Sequence, residues 1–456
     1  MLKKIINQMS LVFINKCQHA DSQKFRSRYE MVNHRLLENP KILDTVHGDL
    51  KKMRAPSGKT SNYSSDMILR MFIVKFMEML SWRDTIVRVE NDMVLRNFVG
   101  VGFSGKFPNH SYLCVAFKFI RPETWNKVNE LLKQDAITKE EITGEKLRAD
   151  TTLYETNIHF PTDSHLLWDS FRLLTRLIRN FRELYPHMHF GYRFHNKKVK
   201  KHYTFISRNS GAKTKSVKRH IKKRYGELIG QVHRACEAAE SCIAMMWNNS
   251  QDIAPIDEMK HYLPIVRRVL HQAEKRINEG IILPPNEKVY SIFEEHTELI
   301  KRGKAGKDVE FGHMVMLAQT GEKFISDYEV MRVKKSDNDL VDPILENHKK
   351  AFGTYPDKFA ADKGFHESTE KTEKLEEDIG LACIPKKGRR TLLQLLKEHS
   401  PDFLAMQRFR AGAEGSISAL KRAFGMERCL LRTFNTFAAS MGCIVFCYNL
   451  TLLSTM

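Results

Sequence analysis

Three short stretches of the chain carry carboxylates in settings that suit chemistry. The first, Lys146-Leu-Arg-Ala-Asp-Thr-Thr152, reads as a strand presenting Asp150, and Thr151, Thr152, Leu153 and Tyr154 continue its β-favouring character. The second, Pro356-Asp-Lys-Phe-Ala-Ala-Asp362, is another short strand ending in a carboxylate, with Gly364 just beyond it. The third, Arg410-Ala-Gly-Ala-Glu414, belongs with Lys421 to a helix. Two Asp and a Glu on two strand ends and a helix supply the hard oxygen ligands that Mg²⁺ takes, water and phosphate completing its shell. A pair of such ions can clamp the attacking and leaving oxygens of a phosphodiester. Taken singly, an Asp or a Glu is more often a helix cap or a solvated surface group, so the trio by itself leaves both readings open.

Arg410, Glu414 and Lys421 fall at i, i+4 and i+11, within about 40° of one another on a helix of 3.6 residues per turn. That stripe serves either as a salt-bridged surface face or as a functional face. Gly412 and Gly415 weaken the helix locally, so an irregular turn is expected there.

The segment Asp150-Thr-Thr-Leu-Tyr-Glu-Thr-Asn-Ile-His-Phe-Pro-Thr-Asp-Ser164 closely resembles the first catalytic segment of the DDE transposases of bacterial insertion sequences. Arg410, Glu414 and Lys421 match the Arg-x3-Glu-x6-Lys part of that family's signature; Gln407 stands where the family has a Tyr, with Phe409 nearby. The resemblance runs from about residue 61 to the end and is weakest in the middle. It implies that Asp150, Asp362 and Glu414 are catalytic and hold Mg²⁺, with Mn²⁺ as a substitute. It also implies that Arg410 and Lys421 grip phosphates of the transposon end. The implied activity binds terminal inverted repeats in double-stranded DNA, cleaves there and joins the 3′ ends to target DNA, with a homodimer as the active complex. The implied location is bacterial, cytoplasmic and nucleoid-associated. Two rivals are a stand-alone metal-dependent nuclease and a non-catalytic DNA-binding protein derived from such an enzyme. Arg410 and Lys421 argue against the first, and the full carboxylate set against the second.

Composition agrees with a nucleic-acid partner. A formal net charge of +20 over 456 residues favours a polyanion, and 42% hydrophobic content suits a chain with a real core. The eight cysteines form no Cys-x2-Cys pair, which speaks against a zinc site and for free thiols in a reducing cytosol. Cys443 and Cys447, one helical turn apart, read as two buried thiols. The N-terminus lacks the apolar run and cleavage site of a signal peptide. From Thr433 to Met456 there is no charged residue. That is long enough to span a bilayer, but interrupting Asn, Ser, Gly and Thr residues make a buried helix the expectation, with no membrane partner.

The expected fold is α/β: a ribonuclease-H-like mixed sheet with a helical N-terminal domain and a large helical insertion. Residues 1–55 read as a basic helical arm, ending in a linker rich in Lys and Arg. Residues 56–140 read as a helical DNA-binding domain: a nearly all-apolar helix from Ser64, a break at Ser81, a second helix ending before Gly100, and a third capped around Asn109. Residues 141–160 and 285–456 form the catalytic domain. Its strands are expected at 146–152, 289–293, a hairpin of 311–318 and 323–330, 356–362 and 380–384, with a helix at 342–352; the first Asp strand is central, beside the second.

Residues 161–284 form the insertion, helical from a Thr162 cap and split near Pro255. Between Leu184 and Gly226 it contains no acidic residue. Solvated faces normally mix signs. This run therefore reads as a phosphate-contacting surface carried by Lys197, Lys198, Lys200, Lys201, Lys218, Arg219, Lys222, Lys223 and Arg224. Asp163, Glu155, Asp327 and His366, close to the motifs, read as caps or supporting groups.

Overall fold

The stretch around Asp150 forms one long strand, β1 (Lys146–Thr156), buried on either side of the half-buried pair Asp150 and Thr151. The computed structural model describes residues 19–53, 63–102, 105–188, 191–246, 254–304 and 307–456. The chain divides into two units, one of Met1–Glu155 with His313–Met456 and one of Thr156–Gly312.

In the first unit, polar caps set the helix boundaries that lead up to β1. The helices are α1 (Ala20–Glu38), α2 (Pro40–Leu50), α3 (Ser65–Met77), α4 (Trp82–Asn91), α5 (Met93–Val99), α6 (His110–Phe119) and α7 (Pro122–Thr138). The side chains of Ser64, Ser81 and Asn109 accept from the amides of Met67, Asp84 and Tyr112, starting α3, α4 and α6. The second expected helix is in fact two: Asp92 accepts from the amides of Val94 and Leu95 and starts α5 afresh. Gly100, at φ +73°, ends α5. The residues read as an arm hold α1 and α2, and both are packed in. Tyr29, Val32, Ile42 and Val46 join the same apolar core as α3. Buried Asp49 accepts from the amide and Nε of Arg121 and from Thr124 Oγ1, fastening α2 to the start of α7. Of the expected basic linker at 51–58, residues 54–58 lie outside the described residues.

The uncharged C-terminal stretch is α16 (Phe434–Leu453). It is long and apolar enough to cross a membrane, yet 89% of its most apolar window is buried inside the protein, against α7 and α3. Cys443 and Cys447 are fully buried within it. Asn449, also fully buried, accepts from the Ile325 amide at 3.0 Å and donates to the Ile325 carbonyl at 2.9 Å.

The sheet is mixed. β3 (Lys307–Thr320) and β4 (Ile325–Val330) form the expected hairpin. β5 (Lys358–Ala360) pairs in parallel with β1, and β6 (Leu381–Cys383) pairs in parallel with β5. The order β3-β1-β5-β6 puts the first Asp strand beside the second, with β7 (Arg428–Cys429) also on β1. Four helices follow the strands: α12 (Val341–Phe352), α13 (Thr369–Asp378), α14 (Leu392–Glu398) and α15 (Pro401–Ala423). α15 runs unbroken through Gly412 and Gly415, so the expected irregular turn is absent.

In the second unit, β2 (Glu298–Lys304) pairs with the first half of β3. The strand expected over 289–293 is irregular instead. Its amides bond to side chains rather than to a ladder: Val289 to Gln272 Oε1, Phe293 and Glu294 to Ser291 Oγ. The helices are α8 (Asp163–Leu184), α9 (Asn196–Asn209), α10 (Lys215–Met245) and α11 (Ala254–Glu274), α8 being capped by Thr162. Leu167, Phe171, Leu228, Val232, Val266 and Val269 lie in their shared core.

Candidate active site

The strand register brings the two aspartates together. Arg148 on β1 pairs with Ala360 on β5. Two residues on stand Asp150, within β1, and Asp362, just past the end of β5, near enough for the charge of Asp362 to act on Asp150. Asp362 lies just past the end of β5, where its Oδ1 accepts from the Gly364 amide at 2.6 Å. Asp150 Oδ1 accepts from the Thr151 amide at 2.8 Å. Each aspartate is thus oriented by a backbone amide. Burial pushes the Asp150 carboxyl above its ordinary value, and the negative charges of Asp362 and Glu414 add to this. The Thr151 amide and Arg410 oppose it.

α15 supplies the third carboxylate. Arg410 Nη1 lies 4.0 Å from Asp150 Oδ2, and its Nη2 lies 3.9 Å from Glu414 Oε1. The guanidinium therefore stands between the strand carboxylate and the helix carboxylate. Glu414 is 73% exposed, so its side chain can turn. Lys421 is half-buried in the last turn of α15, about 10 Å further along the axis at 1.5 Å per residue.

A fourth carboxylate joins the strand pair. Asp337 Oδ1 accepts from Thr151 Oγ1 at 3.3 Å. Burial raises its pKa, the charge of Asp362 raises it further, and Thr151, Lys334 and Lys387 oppose the shift. A Cβ on Gly364 would sit 2.7 Å from Asp362 Oδ1 and 2.9 Å from Asp337 Oδ2, so glycine is what lets these two carboxylates share the turn. Lys387 closes it by donating to the Gly364 carbonyl at 2.6 Å. Asp337 escaped the sequence reading because it lies in a 3₁₀ turn with no strand or helix pattern around it.

The other acids near the motifs are engaged elsewhere. Asp163 accepts from Gln272 and Arg276, Glu155 pairs with Arg428, and Asp327 accepts from Asn347. His366 is buried, and burial lowers its pKa.

As these side chains are placed, no three His, Cys, Asp or Glu among the described residues stand close enough to hold an ion. The donor set nevertheless fits a hard divalent cation. It is made of carboxylate oxygens alone, and the charge of Asp362 is felt by both Asp150 and Asp337.

The basic run lies on α9 and α10. Lys197, Lys198, Lys200, Lys201, Lys218, Arg219, Lys222 and Lys223 are all exposed. Arg224 is also exposed but occupied: it pairs with Glu227 at 3.1 Å, bonds His202 Nδ1 and lies over the Phe205 ring. It braces α9 against α10.

Comparison with known proteins agrees with this arrangement. The family described as a transposase DDE domain matches residues 291–450, which include Asp362, Arg410, Glu414 and Lys421. A second family, described as a transposase domain, matches residues 24–118 and so spans α1 to α6. Asp150 and the insertion lie between the two matches. No curated protein and no solved structure matches the chain. A DDE domain on a ribonuclease-H-like sheet, preceded by a transposase-type helical region, identifies the chain as a member of the DDE transposases of insertion-sequence type.

Proposed function

We propose that this transposase binds the terminal inverted repeats of its own element, cleaves the DNA there and joins the freed 3′ ends to target DNA, with Asp150, Asp362 and Glu414 as the catalytic carboxylates. The observation that carries the reading is the nearness of Asp150, on β1, to Asp362, just past the end of the parallel neighbour β5, with Arg410 reaching Asp150 from the helix that bears Glu414.

The DDE family depends on a divalent metal. Mg²⁺, or Mn²⁺ in its place, would be held by Asp150, Asp362 and Glu414, where it supplies Lewis-acid stabilisation of the phosphodiester oxygens. The chain's own residues position the DNA. Arg410 offers a planar fork to a phosphate beside the carboxylates, and Lys421 contacts a phosphate further along the transposon end. Thr151 and the amides of Thr151 and Gly364 keep the carboxylates pointed inward. The basic faces of α9 and α10 hold phosphates without reading bases. The helical segment from α3 to α6, with α4 and α5 in the place of its second helix, reads the repeat in the manner of a helix-turn-helix unit. The active complex is a homodimer, working in the cytoplasm on nucleoid DNA.

The test incubates the protein with Mg²⁺, labelled DNA carrying the element's terminal repeat, and a plasmid target. Joined end–plasmid products are expected. Cleaved ends with no joining would favour a nuclease on the same fold, and binding without cleavage would favour a non-catalytic derivative.

A further inference from the structure

Arg148 is two residues before Asp150 on β1 and only 3% exposed. Its partners among the described residues are all neutral. Nε and Nη2 donate to Gln319 Oε1 at 3.0 and 2.9 Å, Nη1 donates to the Phe409 carbonyl at 2.7 Å, and Nη2 reaches Ser416 Oγ at 3.4 Å. The guanidinium also lies over the Phe409 ring, 4.8 Å from its centre. A buried cation with no carboxylate partner is costly, and packing alone would be served better by an apolar side chain of similar size. What the fork gains is a three-way joint between β1, β3 and α15.

Gly412 is shaped to this joint. A Cβ there would stand 2.5 Å from Arg148 Nη1. Phe409, Gly412 and Ser416 fall on one face of α15, at i, i+3 and i+7. Arg410 and Glu414 fall on another, roughly 150° around the axis at 100° per residue. Gripping the first face therefore sets where the second one points.

We propose that Arg148 is a positioning residue: its fork fixes the rotation of α15 about its own axis and so sets where Arg410 and Glu414 stand relative to Asp150. This rests on the carboxylate reading above, which Asp362→Asn tests separately.

The experiment uses the full chain with Arg148→Gln, Arg148→Lys and Gly412→Ala, each compared with wild type and Asp362→Asn. It measures thermal melting, affinity for end DNA, and Mn²⁺ binding by electron paramagnetic resonance titration. Groups that orient metal ligands typically change metal affinity by about 10- to 100-fold when removed. Arg148→Gln should weaken Mn²⁺ binding by that order while most of the end-DNA affinity, carried by the basic faces of α9 and α10, is retained. Arg148→Lys should lie between, since an ammonium cannot make the planar fork. Gly412→Ala should reproduce the loss with Arg148 still present, and it decides the matter if Arg148→Gln does not fold. Wild-type Mn²⁺ binding in folded Arg148→Gln or Gly412→Ala, even with a lower melting temperature, would make Arg148 a packing residue and overturn the proposal. Equal Mn²⁺ binding by wild type and Asp362→Asn would overturn it together with its premise, and that result does not involve Arg148.

Discussion

Asp150 illustrates how a single residue in the candidate site costs stability. Its carboxyl pKa is raised in the folded chain, first by burial and then by the charges of Asp362 and Glu414. The sign follows from linkage. Below the ordinary carboxylate range the group is protonated both folded and unfolded, and costs nothing. As pH rises through the raised pKa, the folded state must ionise a group that the unfolded chain ionises more readily, so stability is lost. Asp150→Asn should therefore melt higher than wild type at pH 8, and the gap should close as pH falls towards 4. Mg²⁺ should narrow the gap at pH 8 by binding the folded wild type alone. A variant less stable at pH 8, or a gap indifferent to pH, would contradict this account of the site's electrostatics.

At the scale of elements, the carboxylate strands, the hairpin and the buried α16 were legible because β-favouring runs and uncharged runs of helical length need little tertiary help to interpret. Boundaries were legible where a Ser or Asn could cap, as at Ser64, Ser81 and Asn109. Other features depended on contacts that no local pattern carries. α13 is polar but for Leu375 and buries none of its residues, so it has no apolar stripe to find. The backbone at 289–293 is satisfied by Gln272 and Ser291 rather than by a neighbouring strand. Gly412 looked like a weak point in α15 and is instead the space that Arg148 occupies. In the candidate site, Asp150 and Glu414 could be picked out by motif and Asp362 as the carboxylate ending a short strand, whereas Asp337 and Arg148 became visible only once strand and helix were packed. One element contact makes a direct prediction. Asn449 pairs with both backbone groups of Ile325, tying α16 to the outer strand β4. Asn449→Leu would leave two buried backbone groups unpaired, at about 1–3 kcal/mol each. A clear drop in the urea midpoint is expected; an unchanged midpoint would mean that water or a shifted strand satisfies those groups.

For the whole molecule, the charge distribution suggests a division of labour: carboxylates gather at the sheet's Asp strands, while the exposed lysines of α9 and α10 carry positive charge. Replacing Lys197, Lys198, Lys200 and Lys201 with Gln should weaken binding to any duplex. It should also flatten the dependence of log affinity on log salt by roughly 0.9 for each phosphate that is no longer neutralised. An unchanged slope would mean that this face meets only solvent. The central claim, that the same chain binds the transposon end with one set of residues and cuts it with another, is tested most directly by Asp362→Asn. Cleavage of a labelled transposon end and its gel-shift affinity are measured side by side for wild type and variant. The account predicts cleavage reduced to background with binding close to wild type; full cleavage by Asp362→Asn would remove Asp362 from the catalytic site.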